Sequence, residues 1–327
     1  MSPERLLGGG LLFCDPRFHD LNAVPADRRW RYEHRREGRL VGVVEGVVND
    51  GVLLSGHSAP FGGPDLVRAD PPIEDLLELV GGALEAARAD GLSGVRVRSR
   101  PPVYSPAEPV LEYVLLNSGF TVEHCDVNQH VDLAPLHAGV DPLSLFKRKR
   151  PYVRTALAGP HELVEVSGGE DLTTLHRILD ANRAAHGRPP GLPRDYLERV
   201  RAAFPDRVWL LLLRVDGQAV AAAVVYRVLD DVDLLVAWGD AGHELERSPM
   251  DLLAHLLVKR SLQGGVRLFD LGPSSEKDGT PNTGLVNFKR SVGAAAGTRK
   301  VLLASFRERG NSSEVVPGSG HGSGSGA

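Results

Sequence analysis

The sequence predicts an α/β protein: two tandem mixed-sheet domains with flanking helices. Three observations lead there. Strand-like and helix-like patterns alternate from residue 31 to residue 271. One helix–Gly–strand pattern occurs twice, as Asp75-Leu76-Leu77…Gly94-Val95-Arg96-Val97 and as Asp251-Leu252-Leu253…Gly265-Val266-Arg267-Leu268. The offset of about 170–176 residues is far above the ~20–50-residue period of solenoids, so a duplicated domain is the simpler account. Finally, 327 residues suffice for two ordinary cores.

In chain order, 31–36 and 40–48 read as strands flanking Glu37-Gly38-Arg39, and 51–55 follows Asn49-Asp50-Gly51. A helix is expected over 73–89, with Leu76, Leu77, Val80 and Leu84 on one side. A strand at 95–98, a short helix at 109–117 and strands at 120–122 and 129–133 complete the first half. The second half offers a strand at 162–167, helices at 172–185 and 194–204, and a hairpin 208–215/219–228 turning at Asp216-Gly217-Gln218. A strand at 232–239, a helix at 251–261 and a strand at 266–271 follow. The expected partition is 1–138, 139–310 and a disordered Gly/Ser tail, 311–327.

Composition narrows the function classes. Hydrophobic residues make up 42% and charged residues 24%, as in ordinary soluble domains. No apolar run reaches the ~18–20 residues of a membrane span. The N-terminus carries no signal-type cleavage site, and Cys14 and Cys125 lack metal-type spacing, so a cytoplasmic protein with reduced thiols and no metal is expected. A net charge of −4 argues against coating nucleic acid through the overall field, though not against a local basic site. Of 38 basic residues only six are Lys, none before Lys147, which makes each Lys informative.

The segment Phe269-Asp270-Leu271-Gly272-Pro273-Ser274, continuing through Asn282-Thr283-Gly284-Leu285-Val286-Asn287-Phe288-Lys289-Arg290-Ser291-Val292-Gly293, resembles the FemAB-like, peptidoglycan bridge-forming branch of the tandem GNAT-superfamily acyltransferases. There a strand ending F-D-L-G-x-S precedes N-x-G-L-x-x-F-K-x-x-F-G; Val292 replaces the usual aromatic residue. Ser55-Gly56-His57-Ser58-Ala59-Pro60-Phe61-Gly62-Gly63 resembles the family's S-x-x-A-P-x-G-G turn. Asn128-Gln129-His130-Val131-Asp132-Leu133 resembles the ending of its first domain, and 145–156 its basic helix. The resemblance implies two GNAT-like domains and transfer of an acyl or aminoacyl group from an activated ester or thioester to an amine. It implies no resident cofactor, the donor (an aminoacyl-tRNA or a carrier-protein thioester) being a co-substrate. It implies as acceptor a cell-wall precursor or small-molecule metabolite, amine-bearing and in some cases nucleotide-linked.

Within that frame Lys289 is the expected catalytic cation, with Phe288 beside it. Aminolysis passes through a tetrahedral oxyanion, and one fixed donor in a dry site contributes ~3 kcal/mol. Ser274 and Asn282, in the same segment, are implied as substrate-binding. Lys147, Arg150, Tyr152 and Arg154 are expected to hold a phosphate-bearing partner such as tRNA, or to dock an acyl carrier protein. On a helix, Lys147, Arg150 and Arg154 share a face; if Pro151 instead opens the helix, 147–150 becomes a loop at its positive end. A solvated linker face is the plainer reading. No base stands out: Asp270 and His57 are each read first as structural.

Two alternatives remain. An acyl-CoA-dependent N-acetyltransferase needs an R/Q-x-x-G-x-G/A pyrophosphate cradle between a strand and a helix. Arg5-Leu6-Leu7-Gly8-Gly9-Gly10 and Arg290-Ser291-Val292-Gly293-Ala294-Ala295 fit the letters but not the place. The place itself, 242–250, offers Glu244, Glu246 and Pro249, with Ser248 and Asp251 as a cap pair. The other alternative is a non-catalytic protein binding a ligand in the cleft between the halves.

Overall fold

In the computed structural model, which describes residues 6–242 and 248–306, the first half contributes α1 (Pro16–Leu21), β1 (Arg29–Arg36), β2 (Arg39–Asn49), β3 (Val52–Leu54), β4 (Asp65–Leu66), α2 (Ile73–Ala89), β5 (Gly94–Arg98), α3 (Ala107–Asn117) and β6 (Thr121–Asp132). After α4 (Ala134–His137) come α5 (Arg150–Ala158), β7 (His161–Val166), α6 (Gly169–Ala185), α7 (Arg194–Ala203), β8 (Val208–Val215), β9 (Gln218–Leu229) and β10 (Val232–Asp240). The chain ends with α8 (Met250–Gln263), β11 (Leu268–Pro273), α9 (Thr283–Ser291) and β12 (Ala295–Ser305). Arg5, Glu244, Glu246 and the tail expected at 311–327 lie outside the described residues.

Three hairpins follow from turn chemistry. Glu37-Gly38, Asp50-Gly51 and Asp216-Gly217 each place two residues at positive φ between antiparallel strands. This matches the right-handed strand twist, and glycine at the second position carries no Cβ penalty.

The strands form one sheet in the order β1-β2-β3-β5-β12-β6-β11-β10-β9-β8-β7, with β4 added beside β2. Apart from the added edge strand β7, the order is a palindrome about the β12–β6 pair. Outward on either side lie β5 or β11, β3 or β10, β2 or β9, and β1 or β8. The two parallel pairs, β3–β5 and β10–β11, are each crossed by a helix, α2 or α8. The sequence duplication is therefore a structural one.

The last strands of the two repeats are exchanged. β12 pairs with β5 of the first repeat, β6 pairs with β11 of the second, and β6 and β12 pair with each other. Residues 295–305, on the second side of the expected 138/139 boundary, are thus hydrogen-bonded to the first repeat, where Leu302 is wholly buried between α2 and α3. In return the N-terminal arm packs Phe13 and Phe18 into the second-repeat core beside Tyr226 and Leu212. The strands expected at 120–122 and 129–133 are one continuous strand, β6, and β12 carries no strand signal that pattern reading recovered. β6 opens on a largely exposed stretch and then buries the polar Asp126, Asn128 and Gln129, and β12 opens on four exposed residues, 295–298, which hides the alternation. Among the described residues no helix is long and apolar enough to cross a membrane.

Candidate active site

The parallel pair β10–β11 holds for three residue pairs, Val232/Leu268 to Leu234/Asp270, and then opens. Two features of the sequence open it. Gly272 adopts φ +73° and turns its N–H back onto the Asp270 carboxylate (2.7 Å) instead of across the sheet. Pro273 has no N–H to offer. On the other strand, β10 bulges against β9 between Leu235 and Ala237.

Asp270 anchors the opening. It is wholly buried and accepts from Tyr104 Oη (2.7 Å), Asn128 Nδ2 (2.8 Å) and the Gly272 N–H. Tyr104 and Asn128 belong to the first repeat, so one carboxylate ties both repeats to the mouth of the wedge. A carboxylate with these three donors has a structural task. His57 lies in the 55–64 loop, where burial and the nearby Arg28 and Arg98 push its pKa down.

A pocket of about 560 Å³ fills the wedge, walled by β10, the end of β11, the C-terminal turn of α6 and one face of α9. Lys289 and Phe288 both line it. Lys289 is 2% exposed, and its Nζ donates to the carbonyls of Gly272 and Pro273, both at 2.9 Å. Burial pushes its pKa down to about 7; Asp270 pulls up, while Arg188 and Arg299 push further down. The ammonium expected from the sequence is therefore a group that titrates near neutrality. Phe288 packs against Trp238, with ring centroids 5.4 Å apart.

Asn282 also lines the pocket, but its side chain caps α9, accepting from Leu285 N (2.9 Å) and donating to Glu276 (2.7 Å). Ser274 is wholly buried, its Oγ donating to Gln129 Oε1 at 2.7 Å. Both fix the segment that leads into α9, the helix that carries Lys289.

The basic segment resolves into two parts. α5 begins at Arg150 with Pro151 in its first turn, so Lys147 to Lys149 form the approach to its N-terminus. Lys147 and Arg154 are exposed, Tyr152 is 59% exposed, and Arg150 pairs with Asp141 (3.1 Å). None of these four lines the pocket. Lys149, the neighbouring cation, touches a lining residue: its Nζ lies 4.9 Å from the Phe288 ring centroid and 2.7 Å from Asp251 in the first turn of α8. α8 starts at Met250, with Ser248 Oγ accepting from the Met250 N–H at 3.4 Å, so Pro249 precedes the helix instead of opening it. Arg290 to Ala295 run from a helix into a strand, not from strand to helix.

Where the second repeat has its wide wedge, the first repeat holds a small apolar cavity of about 20 Å³ beside β3–β5, lined by Leu53, Val95 and Val97. Its 55–64 loop closes the gap: Ser55 N donates to Arg96 O (3.0 Å) and Gly62 N to Arg98 O (2.9 Å). A Cβ on Gly62 would lie 2.3 Å from Gly56 N, so the S-x-x-A-P-x-G-G stretch is a plug whose glycines permit backbone contact.

Pattern reading missed Lys149 as the cation packed on Phe288, and it missed the pocket-lining Trp238, Arg188, His186 and Asp240. Cys14, Glu45 and Asp65, distant in sequence, bring ligand-type atoms within 4.8 Å of one another. These groups are already engaged. Arg100 and the Leu11 N–H take the Asp65 oxygens, Arg31 takes Glu45, and burial pushes the Cys14 thiol up.

Residues 146–290 match the profile of the acetyltransferase (GNAT) domain. Among solved structures, the chain is similar to FemX, with a TM-score of 0.66 and 13% identity over 88% of this chain and 91% of that one. It is also similar to the C-terminal domain of a putative lysylphosphatidylglycerol synthetase from Agrobacterium fabrum (TM-score 0.51, 17% identity, 84% of each chain). A third is a tandem GNAT protein from the clavulanic acid biosynthesis pathway (TM-score 0.50, 16% identity, 89% of this chain and 88% of that one). At these identities the likeness is one of fold. A search of curated protein sequences gives no match.

Proposed function

We propose that this protein, whose residues 146–290 match the acetyltransferase (GNAT) domain and whose fold is similar to that of FemX and of a tandem GNAT protein, forms amides by passing an acyl or aminoacyl group from an activated ester or thioester to an amine. The observation that carries this reading is Lys289. A protonated lysine has three N–H donors. Gly272 and Pro273 take two, which leaves the third for an oxygen in the pocket. An ammonium held by two carbonyls and shielded from water is a preorganised partner for the oxyanion of aminolysis.

An aminoacyl-tRNA or a carrier-protein thioester is the favoured donor class. In a CoA-dependent GNAT domain the N-terminus of the helix after β10 would receive a pyrophosphate. Here Asp251 occupies the first turn of α8, already answered by Lys149, and a fixed carboxylate at a helix N-terminus opposes a second anion. Exposed Lys147, Arg148 and Arg154 surround the approach to α5 and suit a phosphate-rich partner. The name of the lysylphosphatidylglycerol synthetase neighbour is in keeping with an aminoacyl donor. An amine-bearing metabolite or nucleotide-linked precursor is the acceptor.

The test offers charged tRNA, acyl-CoA and a carrier-protein thioester side by side to purified protein with a panel of amines. Transfer is expected from tRNA or carrier, falling about 100-fold in Lys289→Met. With a tRNA donor, Lys147→Ala should weaken binding and flatten its salt dependence. Transfer from CoA alone overturns the donor assignment, and unchanged turnover in Lys289→Met overturns the role of the pocket.

A further inference from the structure

Aminolysis needs a proton acceptor as well as an oxyanion partner, and one side chain of the pocket is held in the form that accepts. α6 ends in a Schellman turn: Gly187, at φ +65°, donates to Ala184 O (3.0 Å) and Arg188 N donates to Arg183 O (2.9 Å). This closure fixes the C-cap residue, His186. Its Nδ1 lies 2.7 Å from the carbonyl oxygen of Asn182, one turn back. A carbonyl only accepts, so Nδ1 carries the proton, and in the neutral ring Nε2 holds a lone pair.

His186 is exposed, and it lines both the wedge and the adjoining pocket of about 310 Å³ at the end of β10. Lys289 lines the same wedge from α9. The other polar groups on the α6 side are engaged: Arg183 Nε donates to Pro189 O (2.7 Å), Arg188 pairs with Glu276 (3.1 Å), and Asn182 Nδ2 approaches Asp240 (3.4 Å).

We infer that His186 is the proton acceptor of the reaction, a role that rests on the acyl-transfer reading above. The amine nitrogen attacks the acyl carbon, and the C–N bond forms as the carbonyl electrons move onto oxygen, facing Lys289. Nε2 of His186 takes the proton from the attacking nitrogen. Collapse of the intermediate breaks the C–O or C–S bond to the donor. The imidazolium returns that proton to the leaving oxygen or sulfur, giving an amide and a free hydroxyl or thiol, with no other reactant consumed.

The experiment measures transfer with the donor the wild-type protein uses, in His186→Gln, His186→Ala and Lys289→Met. His186→Gln should lose about 100-fold or more in kcat with little change in KM. Imidazole in the buffer should restore part of the His186→Ala turnover and none of that lost in Lys289→Met, a pattern a merely structural histidine does not give. Nitrogen NMR of the free protein should show the ring proton on Nδ1. Turnover within twofold of wild type in His186→Gln, loss in His186→Ala that ignores imidazole, or a proton on Nε2 each overturns the inference while leaving the transfer reading intact. Absence of transfer from every donor in the wild-type protein overturns both.

Discussion

Lys289 carries opposing demands. The fold lowers its pKa from the ordinary lysine range to about 7, chiefly by burial, so the charged form is the costly one. Between pH 7 and the unfolded lysine value, the unfolded chain binds more protons than the native one, and native stability rises with pH. The wild type should therefore gain stability relative to Lys289→Met when denaturation is followed from pH 6.5 to 9.5. The gain should be a few kcal/mol, at about 1.4 kcal/mol per unit of pKa shift. Activity should run the other way, because the oxyanion needs the ammonium: kcat/KM falls as pH rises through about 7. Asp270 supports the charged form from its buried position. Asp270→Asn should move that basic limb to lower pH, which a pH–rate profile of the variant checks.

Between α6 and β10 the pocket depends on one absent side chain. A Cβ on Gly239 would lie 2.6 Å from Asn182 Cβ, a contact between two stiff atoms that neither element can absorb without moving. Asn182 is the residue whose carbonyl orients His186. Gly239→Ala should therefore cost of order 1–3 kcal/mol in a urea titration and lower kcat, with the Lys289 side of the site unaltered. Elements of this kind also divide what pattern reading reaches from what it does not. Helices 73–89 and 172–185 and the three Gly hairpins were legible because their signals are local: a repeated apolar stripe, or a glycine where φ is positive. Phe288 and Lys289 were legible through a motif. His186 was not, because its tautomer is set by a carbonyl and its surroundings by a pocket, and neither leaves a spacing to read. Nor was β12, whose AAGTRK opening lacks alternation and whose strand partners lie up to 211 residues away, where Ser305 pairs with Gly94.

Exchange of β6 and β12 makes the sheet one cooperative body. Cutting the chain between 138 and 139 leaves β5 without β12 on one fragment and β11 without β6 on the other. Each fragment then exposes unpaired strand edges where the intact sheet has its centre. Fragments 1–138 and 139–310 should be insoluble or molten when expressed singly and should reconstitute a folded complex when co-expressed, as size-exclusion chromatography and circular dichroism would show. In the intact chain a single unfolding transition is expected, detected equally by Trp30 in the first repeat and Trp209 in the second.

The same exchange sets an order on synthesis. A nascent chain that has emerged through residue 138 contains every helix of the first repeat, yet the slot between β5 and β6 is filled only by residues 295–305. Until those residues leave the ribosome, the early half must wait with its middle open. Protein synthesis runs at ~5–20 residues per second, so that wait lasts on the order of ten seconds or more. Over that interval Leu53, Val97 and Phe120, all buried in the finished core that Leu302 completes, are the surfaces a chaperone would meet first.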